Sequence, residues 1–154
     1  MTARTKAIAL NSPSNPVGWT ATRDELIAVR DFCRKRGLWI LGDEVYTRFF
    51  YGDNGETRAP SFLDICEDED QLLLANTFSK NWAMTGWRVG WMIGPDDVMK
   101  AAINFQSHST SNVSNVAQIA ALAAVSGDLE AVKMMRTAFE RRGKTMHKML
   151  SAIP

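Results

Sequence analysis

The sequence predicts an α/β fold, and three observations indicate it. Short and almost continuously apolar segments recur between residues 6 and 93, and a helical pattern or a polar loop separates one from the next. Strands that are apolar on both faces belong in a sheet that helices cover on both sides. The second half of the chain has the periodicity of consecutive helices. We therefore expect about four mostly parallel strands with flanking helices and a helical C-terminal half.

The first strand and the first helix are predicted between residues 6 and 37. Lys6–Asn11 is a short apolar run that a turn-forming stretch, Ser12–Pro16, brings to an end. Thr22–Glu25 is a capping-box pattern, which predicts a helix start. The apolar positions that follow share one helical face: Leu26, Val29, Phe32 and Cys33. Gly37 then supplies the helix end.

Three further strands are predicted in the first two thirds of the chain. They are Leu38–Asp43, Gln71–Asn76 and Arg88–Ile93, each of them largely apolar. The segment between the second and third strands, Gly52–Asp70, contains turn residues and the acidic run Glu67–Asp70. We expect this segment to be a solvated loop.

Three helices are predicted to follow. Pro95 is expected in the first turn of a helix with an apolar stripe formed by Val98, Ala101, Ala102 and Phe105. After a polar break at Ser107–Asn112, Val113–Val125 is predicted to be a buried helix that ends at Gly127. Asp128 is expected to cap a last helix, whose apolar side consists of Leu129, Val132, Met135 and Phe139.

Composition excludes several classes of function. The 154 residues are 45% hydrophobic and 23% charged, which is typical of a globular domain. The net charge of +1 gives no electrostatic basis for binding nucleic acid or an anionic membrane, and runs such as Ile119–Val125 are too short to span one. No apolar signal region precedes the first strand, and Cys33 and Cys66 are isolated. We expect a cytoplasmic protein without a bound metal.

Lys80 is the residue with the clearest chemical potential. It lies near Thr77, Ser79 and Arg88 in one short segment. A lysine can form an imine with the aldehyde of pyridoxal 5′-phosphate (PLP), while hydroxyls and a guanidinium hold the phosphate. A surface lysine is the ordinary alternative. Apolar neighbours favour the neutral, nucleophilic amine instead: Phe78, Trp82, Met84 and Trp87.

Three residues upstream suit the same cofactor. Asp43 ends a predicted strand, where open α/β sheets bind ligands, and its carboxylate can pair with a protonated pyridine nitrogen. The Tyr46 hydroxyl and the Asn15 amide can both donate to the phenolate oxygen. Each residue alone has an ordinary structural explanation, as a cap or ion pair, a half-buried tyrosine or a turn residue. The Asn15–Pro16 bond is open between cis and the commoner trans form.

Three motifs in series resemble the class I/II, fold-type-I PLP-dependent aminotransferases, and the aspartate, aromatic and alanine transaminase branch is the nearest. The motifs are Asn15–Gly18, Asp43–Tyr46 and Thr77–Gly90, and the resemblance covers nearly the whole chain. It implies that Lys80 is the imine lysine and that Asp43 is the partner of the pyridine nitrogen.

The same resemblance assigns the remaining site residues. It makes Tyr46 and Asn15 the donors to the phenolate oxygen. It puts Thr77, Ser79 and Arg88 on phosphate-binding positions, with Thr77 the stronger candidate of the two hydroxyls. The implied reaction moves an amino group between an amino acid and a 2-oxo acid, and family members bury the site at the interface of a homodimer.

The resemblance is to the middle part of such an enzyme. It implies that residues 1–127 belong to the PLP-binding large domain and that residues 128–154 form a helix leading toward a small domain. It also implies four strands side by side with both outer strands unpaired. The aromatic that stacks on the cofactor ring and the arginine that binds the substrate carboxylate are not among the residues matched. The isolated chain is therefore expected to be nearly inactive.

Two alternatives stay open. One is a PLP-dependent β-eliminating lyase on the same fold, although Tyr46 and the run Met84–Trp87 favour the transaminase. The other is a non-catalytic fragment or binding module that holds PLP weakly or not at all.

Overall fold

The computed structural model describes residues 1–52 and 55–153. Nine elements of four or more residues follow one another along these ranges: β1 (Ala7–Asn11), α1 (Arg23–Arg36), β2 (Trp39–Asp43), β3 (Leu72–Thr77), α2 (Phe78–Asn81), β4 (Gly90–Ile93), α3 (Asp96–Ser109), α4 (Asn115–Ser126) and α5 (Glu130–Leu150). Two short 3₁₀ helices lie at Phe62–Asp64 and Thr85–Trp87.

The four strands form one sheet in the order β1-β2-β3-β4. Strands β1, β2 and β3 are parallel, and β4 runs antiparallel to β3. Asn11 pairs with Asp43 and Thr77 pairs with Gly90, so the carboxyl ends of three strands and the start of the fourth lie at one edge. The predicted α/β fold with four mostly parallel strands side by side is confirmed.

Helix α1 forms as its sequence predicts. The Thr22 hydroxyl accepts the N–H of Glu25, and the Glu25 carboxylate accepts the N–H of Thr22. Both bonds satisfy backbone donors that the first helical turn leaves open. Gly37 ends the helix in the left-handed conformation, with φ of 61°. Leu26 and Cys33 are buried and join the helix to the core beneath the sheet.

Two apolar clusters hold the sheet and its helices together. The first joins α1, β2, β3 and the 3₁₀ helix Phe62–Asp64, and its largest fully buried side chains are Leu26, Cys33, Ile40, Phe62 and Leu74. The second joins α2, the segment before β4 and helix α4 through Phe78, Met84, Val89, Ala117 and Ala121. Within the second, the rings of Phe78, Trp82 and Trp91 pack at centroid distances of 4.9 to 6.2 Å. Aromatic packing of this kind fixes the position of α2 relative to the sheet.

The prediction that Gly52–Asp70 is a solvated loop is wrong for its second half. Ala59, Phe62 and Ile65 are buried, and the last two pack in the cluster that joins α1 to the sheet. Asp70 is buried as well, and its carboxylate pairs with the guanidinium of Arg34 at 2.5 Å. Two of the loop residues, Asp53 and Asn54, lie outside the described ranges. The acidic run Glu67–Asp70 led to the prediction of a solvent-exposed segment. Asp70 is buried nevertheless, because Arg34 of α1 compensates its charge.

The prediction that Val113–Val125 is a buried helix is wrong for most of its surface. Helix α4 buries Ala117 and Ala121 against the second cluster. Its larger apolar side chains are 55% to 69% exposed: Val116, Ile119, Leu122 and Val125. The sequence shows that a helix is apolar, but it does not specify which neighbouring element covers the apolar side chains.

The ends of the last three helices also differ from the predictions. Pro95 precedes the first turn of α3 as its N-cap residue, and the apolar stripe of α3 ends in Phe105, which is 75% exposed. Helix α5 begins one residue later than Asp128 would place it, with Leu129 at the N-cap position. The Asp128 carboxylate still accepts the N–H of Glu130 at 3.0 Å, so its capping role is confirmed in part. Across residues 1–52 and 55–153, helices with the length and hydropathy of a membrane span are absent.

Candidate active site

The carboxyl edge of the parallel strands brings several polar residues together. Asn11, Asp43 and Thr77 are the last residues of β1, β2 and β3. The Asn11 side chain links two of these ends, because its Nδ2 donates to the Asp43 carbonyl at 3.2 Å. Its Oδ1 accepts the N–H of Asn15 at 2.9 Å. Asn11, which the sequence analysis did not single out, thus ties the loop that carries Asn15 to the strand end that carries Asp43.

Asn15, Tyr46 and Lys80 come together although three different segments carry them. The Asn15 side-chain amide donates to the Tyr46 hydroxyl at 3.0 Å. The Lys80 Nζ lies 5.7 Å from the centre of the Tyr46 ring, within the range of a cation–π contact. The Asn15–Pro16 bond is cis, as is Ser12–Pro13. The commoner trans form is therefore not the one adopted here.

Asp43 presents an exposed carboxylate at the centre of this edge. Its Oδ1 accepts the N–H of Val45 at 3.3 Å, which closes a local turn after β2. Among the described residues its carboxylate has no ion-pair partner. A negative charge without a cationic partner is therefore available to a ligand.

Lys80 occupies the middle of the short helix α2, where it is half-buried. The Thr77 hydroxyl caps this helix by accepting the N–H of Ser79 at 3.1 Å. On the other side of Lys80, the buried Asn81 accepts the N–H of Arg48 at 3.2 Å. The two bonds hold the lysine backbone from both sides. Within the described part of the chain, its ammonium forms no salt bridge.

Thr77, Ser79 and Arg88 gather where β3 meets the start of β4. The Thr77 hydroxyl donates to the carbonyl of Val89 at 2.9 Å. Ser79 is buried, and its carbonyl accepts the hydroxyl of Thr85 at 3.1 Å. Arg88 is exposed, adopts φ of 55° and donates from Nη1 to the carbonyl of Thr85 at 3.0 Å. Its guanidinium has no acidic partner in residues 1–52 and 55–153.

The site therefore carries three charges that no neighbouring side chain in the described ranges compensates. They are the carboxylate of Asp43 and the cations of Lys80 and Arg88. The hydrogen-bonded Asn15–Tyr46 pair adds polar groups to the same site. Such a set suits a ligand that combines a cationic ring nitrogen, a reactive carbonyl and an anionic group. The sequence named these residues, and the fold brings them to one edge.

One buried acid escaped the sequence analysis. Glu44 follows Asp43 directly and is 5% exposed, whereas an isolated glutamate in a polar motif predicts a surface position. Burial raises the pKa of Glu44 above its ordinary value, and hydrogen bonds from Ser61 and Phe62 oppose that rise. The available signal was the period of two along a strand, because it puts Ile40, Gly42 and Glu44 on the same face.

The fold and the site define a class: this is an α/β chain of the fold-type-I transferase kind, with a lysine beyond the carboxyl edge of its parallel strands. Residues 1–154 match the family described as aminotransferase class I and II. The chain belongs to that family.

Related proteins carry aminotransferase names. The chain is 52% identical over 152 residues to an aspartate aminotransferase of Streptomyces avermitilis, a match that covers 99% of this chain and 37% of that protein. It is 42% identical over 155 residues to an aspartate aminotransferase of Geobacillus stearothermophilus, covering 100% of this chain and 39% of that protein. It is 38% identical over 156 residues to an asparagine–oxo-acid transaminase of Streptococcus mutans, covering 99% of this chain and 38% of that protein.

Solved structures agree with these relatives. The aspartate aminotransferase of Thermotoga maritima superimposes with a TM-score of 0.88 at 37% identity, covering 98% of this chain and 38% of that one. An aromatic aminotransferase of Pyrococcus horikoshii gives a TM-score of 0.91 at 33% identity, covering 98% and 40%. The chain thus spans 37% to 40% of the length of these five proteins.

Proposed function

We propose that this chain is the PLP-binding core of an aminotransferase that moves an amino group between an amino acid and a 2-oxo acid. The observation that carries the proposal is the convergence of Asn15, Tyr46 and Lys80 at the strand edge that ends in Asp43. The names of the relatives support an aspartate-type amino donor, since those of Streptomyces avermitilis and Geobacillus stearothermophilus are aspartate aminotransferases.

The uncompensated charges fit the parts of this cofactor one by one. When bound, PLP supplies an aldehyde that carries the amino group and a ring that takes up the electron pair of a broken Cα–H bond. Asp43 would hold a proton on the ring nitrogen, because its carboxylate has no cationic partner among the described residues. A protonated ring nitrogen makes the ring a better electron acceptor.

Tyr46 and Asn15 would donate to the phenolate oxygen of the cofactor. The bond between the Asn15 amide and the Tyr46 hydroxyl, at 3.0 Å, shows that the two groups lie close enough to share one acceptor. The hydroxyl keeps its own proton for that acceptor, since it accepts rather than donates in the bond with Asn15. Two donors on one oxygen lower the basicity of that oxygen.

Lys80 would both anchor the cofactor and move a proton. Its Nζ would join the cofactor aldehyde covalently and, when free, would be placed to move a proton between the substrate Cα and C4′ of the cofactor. The bonds that the Thr77 hydroxyl and the Asn81 side-chain oxygen accept fix the residues on either side of the lysine, while the lysine side chain has no salt bridge to break in the described ranges. The position of the Lys80 backbone is therefore fixed, while its amine remains free to react.

Arg88, Thr77 and Ser79 would hold the phosphate. The Arg88 guanidinium offers two parallel N–H donors, which match two phosphate oxygens. The Thr77 hydroxyl would have to turn away from the Val89 carbonyl before it could donate to phosphate. We keep Thr77 as the stronger of the two hydroxyl candidates, because its Oγ lies at the strand end itself.

The remaining proposals concern the wider protein. Residues 1–127 would belong to the large domain, and residues 128–154 would form the helix toward a small domain. In α5, Arg136 donates to the carbonyl of Phe50 at 2.7 Å, whereas the side chains from Arg141 to Leu150 are exposed. A homodimer with shared sites and a cytoplasmic location complete the proposal. Both cysteines are free thiols, in keeping with a reducing compartment.

Of the two alternatives, the β-eliminating lyase has weaker support, because the relatives described above carry transaminase names. Pyruvate and ammonia release would identify a lyase, and amino transfer to 2-oxoglutarate would identify a transaminase. The non-catalytic fragment remains compatible with PLP binding, since binding and turnover need different residues.

Absorbance of the purified chain with PLP tests the proposal directly. We expect a new band in the visible or near-ultraviolet range, and we expect Lys80→Ala to abolish it. Lys100→Ala, which removes an exposed lysine of α3, is the matched control and should leave the band unchanged. Borohydride reduction followed by mass spectrometry should locate the adduct on Lys80. An adduct spread over several lysines would overturn the proposal.

A further inference from the structure

The side chain of Glu44 is buried directly behind the site. It is 5% exposed and lies between Asp43 and Tyr46 in sequence. Its Oε1 accepts the N–H of Phe62 at 2.8 Å, and the side chain of Ser61 also hydrogen-bonds its carboxylate. A buried carboxylate is costly unless such bonds compensate it. The carboxylate therefore serves as a fixed contact between the end of β2 and the 3₁₀ helix Phe62–Asp64.

The 3₁₀ helix gives this contact a rigid base. Phe62 is 1% exposed, and its ring packs so closely on Gly42 that a Cβ there would lie 3.2 Å from Phe62 Cδ2. The Asp64 carboxylate accepts the N–H of Ser61 at 3.0 Å and pairs with Arg58 at 2.7 Å. The partners of Glu44 are thus fixed by packing and by their own hydrogen bonds.

The backbone of Glu44 transmits the contact to the site. Its N–H donates to the Ala75 carbonyl of β3 at 3.0 Å. Its carbonyl accepts the N–H of Thr47 at 3.1 Å and also accepts the Thr47 hydroxyl. These bonds define the turn that follows β2, and Asp43 and Tyr46 project from the two ends of that turn.

We propose that Glu44 is a positioning residue, which acts through Ser61 and Phe62 to hold Asp43 and Tyr46 in place for the cofactor. The inference rests on the proposed function for its chemical meaning. Glu44 itself is covered by Phe62 and Ser61, so it acts without touching a ligand. The geometry indicates that this position requires a side chain that accepts two hydrogen bonds, and that a side chain of similar volume without acceptors would not replace it.

Two variants separate hydrogen bonding from packing. Glu44→Gln keeps an oxygen for the N–H of Phe62, and the Ser61 hydroxyl can rotate to accept from the new amide. Glu44→Ala removes both bonds and leaves the N–H of Phe62 buried without its partner. Glu44→Gln should therefore preserve the positioning contact, and Glu44→Ala should remove it.

Hydrogen exchange of the chain without PLP tests the positioning contact independently of the cofactor. In Glu44→Ala we expect faster exchange at residues 43–47 and 61–65 and little change in α1. In Glu44→Gln we expect exchange close to that of the unchanged protein. Equal acceleration throughout the chain would show a general loss of stability and would overturn the inference, as would unchanged exchange at residues 43–47.

Titration with PLP then tests the consequence for the site. We expect Glu44→Ala to weaken PLP binding about tenfold, because misplacing Asp43 and Tyr46 weakens both polar contacts at once, and we expect Glu44→Gln to bind nearly as the unchanged chain does. Equal PLP affinity in all three proteins would overturn the inference. If the unchanged chain forms no adduct on Lys80, the proposed function fails, and the exchange measurement alone decides whether Glu44 positions the turn.

Discussion

The Lys80 Nζ lies 5.7 Å from the centre of the Tyr46 ring, and the Tyr46 hydroxyl in turn accepts the amide of Asn15 at 3.0 Å. Tyr46 therefore contacts both Lys80 and Asn15. An aromatic face favours a nearby cation, while the hydroxyl at the ring edge is free to donate to an anion. The Tyr46 side chain can thus affect both the Lys80 amine, which would form the imine, and the cofactor phenolate oxygen, which would influence the pKa of that imine.

Tyr46→Phe should change the pH dependence of the chromophore that Lys80 forms with PLP. The variant keeps the ring but loses the donor to the phenolate oxygen, so that oxygen becomes more basic. We expect the apparent pKa of the chromophore to rise by about one, which corresponds to a hydrogen bond of ~1.4 kcal/mol. Spectrophotometric titration measures this directly.

A control distinguishes the hydroxyl from the ring. Phe49→Leu alters an aromatic neighbour whose ring centre is 6.3 Å from that of Tyr46, and it should leave the titration unchanged. An unaltered titration in Tyr46→Phe would remove the hydroxyl from the proposed mechanism.

Arg88 should recognise the phosphate rather than the ring. Arg88→Ala is expected to weaken PLP binding about 10-fold to 100-fold, since it removes charge-assisted hydrogen bonds. Binding of pyridoxal, which lacks the phosphate, should hardly change. Arg88→Lys should recover part of the loss, because a lysine keeps the charge but not the two parallel donors.

The comparison of the two ligands contains its own control. Equal weakening of PLP and pyridoxal in Arg88→Ala would mean that the substitution disturbs the fold. Arg88 has a positive φ of 55°. Arginine, lysine and alanine all carry a Cβ, so we expect this backbone conformation to strain the two variants as much as the unchanged protein.

The sequence predicted the strand edge better than it predicted the surface. Asp43 and Thr77 end apolar strands, and parallel strands necessarily bring such ends together, so local pattern was sufficient. Burial of Glu44 and Asp70 depends on Ser61, Phe62 and Arg34, which are distant in sequence. Local polarity predicted solvent for the acidic run that contains Asp70 and gave no indication that Glu44 is buried, because it contains no information about such partners.

The helical half shows the opposite error. Its apolar residues predicted burial, yet the larger side chains of α4 face outward. Apolar periodicity states that a helix has a face to cover, and the covering layer is a property of the assembled structure. The three helices of this half were predicted to within a few residues, whereas the short helix α2 and the two 3₁₀ helices were not predicted.

The isolated chain should transaminate very slowly. The proposed site residues would supply groups for the cofactor, whereas no residue matched by the resemblance supplies a carboxylate anchor for the substrate. Poor substrate positioning can cost several orders of magnitude in rate. We expect a purified sample to transfer amino groups from aspartate to 2-oxoglutarate no faster than free PLP within about a factor of ten, as measured by coupled assay. Turnover at the ordinary rate of a transaminase, about 10 per second, would contradict this.

Asp70 should stabilise the fold in a pH-dependent way. The hydrogen bond from Arg34 is the main cause that holds the pKa of Asp70 below its ordinary value of 3.8, with burial opposing it. A carboxyl whose pKa is lower in the folded state contributes stability above its unfolded pKa and loses it as the pH falls through the folded pKa. Asp70→Asn should therefore lower Tm by about 3 °C or more near neutral pH. The difference from the unchanged protein should narrow below about pH 4.

Asp68→Asn is the matched control for this prediction. Asp68 belongs to the same acidic run but is exposed, so its loss should change Tm little at any pH. Thermal unfolding followed by circular dichroism from pH 3 to pH 8 measures all three proteins, with the range chosen to cross the ordinary carboxyl pKa. If Asp70→Asn and Asp68→Asn lowered Tm equally, the burial of Asp70 and its pairing with Arg34 would have no energetic consequence. A constant difference between Asp70→Asn and the unchanged protein down to pH 3 would instead attribute the loss to packing rather than to charge.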